Sequence, residues 1–291
     1  MTLPFRLAHL SDLHFSEIEF NFKQFANKRW IGNLNVLLRR KNDFDHSILD
    51  SIPSLLQKEG VQLVLLSGDL SCTSSQAEFT KAACFIEKLK KEGLEVVVLP
   101  GNHDHYTKEA YRKKLFYDFF PSNYGTQKWD LKLHQVALKH LSENWWLLLL
   151  DTTLATPLLC SHGRFSETAE KYLKEALASL PEGAQVVLAN HFPINSKKWR
   201  PALQRQKVLL EILRNYPQIR FYLHGHDHSH TILDLRKEGL PISVDTGSTA
   251  SKKSGSWTLM ECQETGCSFR PFRWSIEKTS WTPSPITSFN W

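Results

Sequence analysis

Residues 62–69, Gln62-Leu63-Val64-Leu65-Leu66-Ser67-Gly68-Asp69, are an apolar run that stops at a turn and a carboxylate. A short apolar run closed by turn residues reads as a buried strand, with the acid placed at its end. The same grammar recurs along the chain. Residues 5–10 lead to Asp12-Leu13-His14, and 96–100 lead to Gly101-Asn102-His103-Asp104. Residues 186–189 lead to Asn190-His191, and 219–223 to His224-Gly225-His226-Asp227-His228. Residues 146–150, ending at Asp151-Thr152, are a weaker sixth case. Carboxylate, imidazole and carboxamide groups at successive strand ends are expected to converge on one edge of a sheet. Oxygen and nitrogen donors without thiolates suit a pair of hard or borderline divalent ions.

Between these runs lie segments of helical period. Residues 45–58 carry Ile48, Leu49, Ile52, Leu55 and Leu56, and stop at Gly60. Residues 77–91 carry Phe79, Ala82, Ala83, Ile86 and Leu89 and stop at Gly93. Further helices are expected over 166–180, where Ser166 begins an incomplete capping box, and over 204–216, ended by Pro217. Strands alternating with helices give an α/β layered fold with the helices outside. Shorter strands over 231–272 predict a second sheet packed on the first, a β-sandwich flanked by helices. The expected organisation is a single domain, 1–291, with an extended strap at 271–291.

Composition fits that picture. Hydrophobic residues make up 41% and charged residues 23%, ordinary values for a chain that buries a core. A net charge of +6 points to acidic partners such as phosphorylated substrates, anionic lipid or nucleic acid, without choosing among them. No nucleic acid is expected, because no nucleic-acid module accompanies the charge. Five cysteines, an odd number with no Cys-x-x-Cys, favour free thiols in a reducing compartment. No signal-peptide pattern opens the chain, and no stretch approaches the roughly 18 apolar residues that span a bilayer. The expected location is cytoplasmic.

Taken in order, Asp-x-His, Gly-Asp, Gly-Asn-His-Asp, Asn-His and Gly-His-x-His resemble the motifs of the calcineurin-like metallophosphoesterase superfamily across residues 7–228. The resemblance implies a four-layer αββα fold and two divalent metal ions, with Mn²⁺ the expected species. It implies that Asp12, His14 and His228 hold one ion, that Asn102, His191 and His226 hold the other, and that Asp69 bridges both. His103 is then the catalytic group, donating to a phosphoryl or leaving-group oxygen, and Asp104 is a supporting or turn-forming residue. His9 reads as a core histidine; His46, His134, His140 and His230 read as surface residues; His105, His162 and His224 border the site.

Leu70-Ser71-Cys72-Thr73 follows Asp69 where the protein phosphatases of this superfamily carry Asp-Arg-Gly, which disfavours protein dephosphorylation. Residues 15–41, directly after Asp12 and His14, hold six Lys/Arg against two Glu, a net of +4. Trp30, Ile31, Leu34, Leu37 and Leu38 are at helical spacing there. That segment reads as a helix at an anionic membrane surface, as a lid over acyl chains, or as a stripe packed on the body. Lys197, Lys198, Trp199 and Arg200, just after His191, and Arg164 are candidate substrate contacts.

Within the superfamily the chain most resembles the bacterial UDP-2,3-diacylglucosamine pyrophosphatases of lipid A synthesis. This implies a lipid-linked nucleotide substrate cleaved to UMP and 2,3-diacylglucosamine 1-phosphate, and contact with the cytoplasmic face of the inner membrane. The alternative is a cyclic-nucleotide phosphodiesterase or another soluble phosphodiesterase. The oligomeric state stays open.

Overall fold

Trp145, Leu147 and Leu149 face one way along their strand, and Trp146, Leu148 and Leu150 face the other, as a two-residue period demands. The odd-numbered residues join the apolar cluster shared with the opposite sheet, and the even-numbered ones pack under helices. A strand coated on both faces is apolar throughout, which is why the run shows no alternation. Val187 and Ala189 against Val186 and Leu188 repeat the division one strand over. The computed structural model describes residues 5–17, 43–125, 128–157, 160–195 and 203–291. Most of segment 15–41, together with Lys197, Lys198, Trp199 and Arg200, lies outside the described residues.

The first sheet has the order β12 (Ser280–Pro283), β11 (Gly266–Ser275), β10 (Ser256–Gln263), β1 (Phe5–Leu10), β2 (Leu63–Leu66), β3 (Glu95–Val98), and β13 (Thr287–Asn290) also pairs with β11. β1, β2 and β3 are parallel, and β10 lies antiparallel to β1. The second sheet runs β4 (Val136–Ser142), β5 (Trp145–Leu150), β6 (Gln185–Asn190), β7 (Ile219–His224), β9 (Ile242–Asp245), β8 (Thr231–Asp234). Its four inner strands are parallel, with β4 and β8 antiparallel at the edges. Two mixed sheets flanked by helices form the expected αββα sandwich.

Several expectations change in detail. The six apolar runs do not share one sheet: three lie in each, and their ends meet across the sandwich. The short strands of 231–272 are likewise divided, β8 and β9 extending one sheet while β10 and β11 extend the other. The tail is extended, but its extension serves sheet pairing, since β12 and β13 are both hydrogen-bonded to β11.

The expected helix over 45–58 is two pieces, a 3₁₀ turn at His46–Leu49 and α1 (Ile52–Lys58), whose first turn holds Pro53. Proline fits a first turn because its missing N–H has no carbonyl to meet there. α2 (Gln76–Lys91) starts from a full capping box, Ser75 with Glu78, and buries Phe79, Ala82, Ile86 and Leu89 on the first sheet. Short helices α3 (Lys108–Lys113), α4 (Phe116–Phe119) and α5 (Leu131–His134) follow. Ser166 caps α6 (Glu167–Ala178) by accepting the Ala169 N–H at 3.0 Å. With α7 (Gln206–Asn215), α6 covers the outer face of the second sheet. Among the described residues, no helix is long and apolar enough to cross a membrane.

Candidate metal centre

Parallel strands in both sheets point their carboxyl ends the same way, where an open α/β sheet gathers ligands. Beyond β1 and β2 the two chains stay zipped: the Asp12 N–H donates to Gly68 O at 3.0 Å and the His14 N–H to Asp69 O at 2.9 Å. The chain then turns abruptly. Asp12, His14, Asp69, His226 and His228 all have φ between 48° and 74°, the left-handed region that side chains with a Cβ rarely adopt. Such conformations cost about 1 kcal/mol or more each and persist where the surroundings enforce them, commonly at functional sites. Two glycines permit the crowding. A Cβ on Gly101 would lie 2.2 Å from Asp69 Oδ1, and one on Gly225 would lie 2.3 Å from Asp12 Oδ2.

The side chains converge as two groups around Asp69. In the first, His14 Nε2 is 3.1 Å from His228 Nε2, and His228 Nε2 is 3.1 Å from Asp12 Oδ1. In the second, His191 Nε2 is 3.1 Å from Asn102 Oδ1 and 3.2 Å from His226 Nδ1. Asp69 Oδ2 stands between them, 3.7 Å from His14 Nε2 and 3.5 Å from His191 Nε2. Ring nitrogens facing one another repel through their lone pairs unless a proton or cation lies between them. Donors about 2.1 Å from an octahedral cation stand about 3 Å apart, close to the spacings found here. The donor set therefore fits a pair of divalent cations, one in each group, with Asp69 common to both.

Protonation in the metal-free chain tells the same story. Burial disfavours the charged imidazolium of His191, but the carboxylates of Asp69 and Asp12 outweigh it and raise its pKa to about 10. Burial also works against the Asp69 carboxylate, yet His191, His103 and His14 hold it far below the usual range. Burial and the neighbouring His191 push His226 down to about 3.

His103 is half-buried, and its Nδ1 lies 2.7 Å from the Cys72 carbonyl oxygen. A carbonyl only accepts, so Nδ1 carries the hydrogen of that bond. Asp104 stays out of both groups. Its buried carboxylate accepts from Leu70 N, Ser71 N, Ser71 Oγ and Gly101 N at 2.8–3.1 Å, tying the loop after β2 to the loop after β3. Burial and the charge of Asp69 push its pKa up to about 7. Asp151 also lies outside the ligand groups, accepting from Tyr117 Oη at 2.6 Å and from Thr153, whose Oγ1 meets His105 Nδ1 at 2.6 Å.

His9 is a core histidine bonded to Ser67 at 2.8 Å, as expected. His46 and His230 are not surface residues. His46 is half-buried, stacks on Phe15 with ring centroids 4.6 Å apart, and sets Nε2 2.9 Å from Leu13 O, bracing the Asp12–His14 turn. No sequence pattern marks that role, since His46 precedes no apolar run and matches no motif. Burial lowers the pKa of His230 to about 4. His224 is buried against Ser243 at 3.1 Å. Arg164 is exposed and paired with Glu167 at 3.0 Å.

The family model described as calcineurin-like phosphoesterase matches residues 5–230. The chain belongs to that family. It is similar, at 31% identity over 173 residues, to the 3′,5′-cyclic adenosine monophosphate phosphodiesterase of Haemophilus influenzae, covering 57% of this chain and 54% of that protein. A 3′,5′-cyclic-nucleotide phosphodiesterase of Nostoc is 25% identical over 171 residues, 58% of this chain and 56% of that protein. The chain thus spans about half the length of the curated relatives it matches. A dimetal phosphatase from Danio rerio superposes with a TM-score of 0.69 over 99% of both chains at 14% identity. A purple acid phosphatase from yellow lupin gives 0.67 at 10% identity, over all of this chain and 54% of that one. At such identities the structural likeness shows the fold.

Proposed function

We propose that this metallophosphoesterase hydrolyses a phosphodiester or pyrophosphate bond of a nucleotide and releases a nucleoside monophosphate. The observation that carries the reading is the convergence of two imidazole pairs on a single carboxylate oxygen, Asp69 Oδ2. Asp12, His14 and His228 would hold one cation, Asn102, His191 and His226 the other, and Asp69 both. Two divalent cations supply Lewis acidity toward the phosphoryl oxygens and lower the pKa of an attacking water toward neutrality. The ligand residues otherwise bind and orient: among the described residues, Asp69 is the carboxylate common to both groups and would hold them together. His103, whose Nδ1–H is held by the Cys72 carbonyl, would act as the imidazolium and donate its second ring proton from Nε2 to the leaving-group oxygen as the P–O bond breaks.

Two substrates follow from two separate observations. The similarity to cyclic-nucleotide phosphodiesterases supports a cyclic nucleotide, opened to a 5′-monophosphate. The basic, aromatic composition of residues 15–41, next in sequence to Asp12 and His14, supports UDP-2,3-diacylglucosamine, cleaved to UMP. On the second reading that segment meets acyl chains or an anionic inner-membrane surface, and Lys197, Lys198, Trp199 and Arg200 meet the nucleotide.

Protein reconstituted with Mn²⁺ and given cyclic AMP, or UDP-2,3-diacylglucosamine in detergent micelles, separates the two. Release of 5′-AMP alone supports the first and of UMP alone the second. Release of no nucleoside monophosphate from either refutes the proposal.

A further inference from the structure

His103 Nδ1 donates to the Cys72 carbonyl, and the packing of neighbouring rings adds to what orients the imidazole plane. Two rings flank it. His14 presents an edge, with centroids 5.0 Å apart and planes at 82°, and Tyr106 lies parallel, with centroids 5.5 Å apart and planes at 10°. His14 is committed to the metal group. Tyr106 belongs to neither core cluster, and the chain holds it firmly on both sides. His105, one residue before, is fully buried with Nδ1 on Thr153. Thr107, one residue after, caps α3 by accepting the Ala110 N–H at 3.1 Å. A ring mounted between two such anchors is a support of the kind that keeps a reacting group within a narrow range of orientations.

We propose that Tyr106 is a positioning residue for His103: its parallel ring sets the plane of the imidazole so that Nε2–H points at the leaving-group oxygen. The inference rests on the phosphodiesterase reading and assigns a residue beyond it. In the step concerned, a water oxygen bonds to phosphorus and one of its protons passes to solvent, the P–O bond to the leaving group breaks, and the second ring proton of a doubly protonated His103, on Nε2, passes to the departing oxygen and leaves the ring neutral. A poor leaving group depends on that proton and a good one does not. Loss of the Tyr106 ring therefore acts selectively, according to what departs.

The test uses the full chain with Mn²⁺ and two diesters, diphenyl phosphate and bis(4-nitrophenyl) phosphate. Tyr106→Leu is expected to lower kcat for diphenyl phosphate about tenfold, with KM and kcat for the nitrophenyl ester nearly unchanged. Tyr106→Phe, which keeps the ring, should rescue the diphenyl phosphate rate. In a His103→Gln background, Tyr106→Leu should have no further effect, because the two residues act as one unit. Tyr106→Met gives the same comparison if the leucine variant folds poorly. Equal slowing of both esters, or an effect that multiplies with His103→Gln, overturns the positioning role while leaving the phosphodiesterase reading intact. A wild-type protein that cleaves neither ester overturns both.

Discussion

The backbone N–H of His103 donates to Oδ1 of Asp69 at 2.7 Å, so the loop after β3 orients the carboxylate at the end of β2. The other oxygen, Oδ2, faces His14 at 3.7 Å and His191 at 3.5 Å. One carboxylate thus has one oxygen tied to the scaffold and the other shared between two clusters. Asp69→Asn keeps an acceptor for the His103 N–H but removes the charge that both clusters share. Activity should fall by roughly 10²–10³-fold or more, and metal content by at least one ion per chain. Elemental analysis of the purified variant checks the second outcome independently of any substrate.

Metal binding should release protons. His191 binds a proton up to a pH of about 10 in the metal-free chain and must lose it to serve as a ligand. Calorimetric titration with Mn²⁺ at pH 8, in buffers of different ionisation enthalpy, should show heats that scale with that enthalpy. Heats independent of the buffer would mean that His191 is already neutral.

The metal-free protein should be most stable near pH 6.5. The raised pKa of His191 gives a contribution that is complete below the ordinary histidine value of about 6.5 and is lost as pH rises through about 10. His9 and His226, lowered to about 3, and His105, His224 and His230, lowered to about 4, act oppositely. They stay neutral in the fold while the unfolded chain takes up protons below about 6.5, so stability falls on acidification. Melting curves across pH 5–10 in chelator give the profile. A stability that rises steadily up to pH 9 would contradict the assignment.

Gly225→Ala should weaken both the fold and the metal centre. Its Cβ would meet Ser11 Oγ at 2.0 Å and Asp12 Oδ2 at 2.3 Å, a steric conflict of the kind that costs about 1–3 kcal/mol. Gly93→Ala is the control: its φ of +79° is strained for alanine but nothing lies within 4 Å. It should cost about 1 kcal/mol and leave activity alone. Denaturant unfolding and metal affinity, measured on both variants, separate the two effects.

Asp104→Ala should destabilise by roughly 3 kcal/mol, because the N–H groups of Leu70, Ser71 and Gly101 lose their acceptor in a buried loop. Urea unfolding reads the change directly.

Much of this site is legible in sequence because each ligand follows an apolar strand within a few residues. Strand ends are visible as the point where Leu, Val and Ile give way to Gly, Asp and Asn, and the observed strands match those runs to within two residues. The distribution of strands between sheets was not legible. Pairing β1 with β10 joins Phe5 to Cys262, and no local pattern encodes a partner so distant. The left-handed turns at Asp12 and Asp69 were equally hidden, because tertiary contacts enforce a conformation that local preference opposes. His46 illustrates a third limit: its role depends on a carbonyl 33 positions away. The capping box of Ser75 and Glu78 was missed too, although its spacing is local, because the helix was expected to begin only at residue 77.

The shared carboxylate of Asp69 makes one demand above all, that two cations act together. Metal-free protein titrated with Mn²⁺, with turnover of bis(4-nitrophenyl) phosphate followed at each addition, tests it most directly. Activity is expected to be absent in chelator and to reach its plateau at two equivalents per chain. Turnover that persists in chelator, or that saturates at one equivalent, would contradict a dimetal centre built on Asp69.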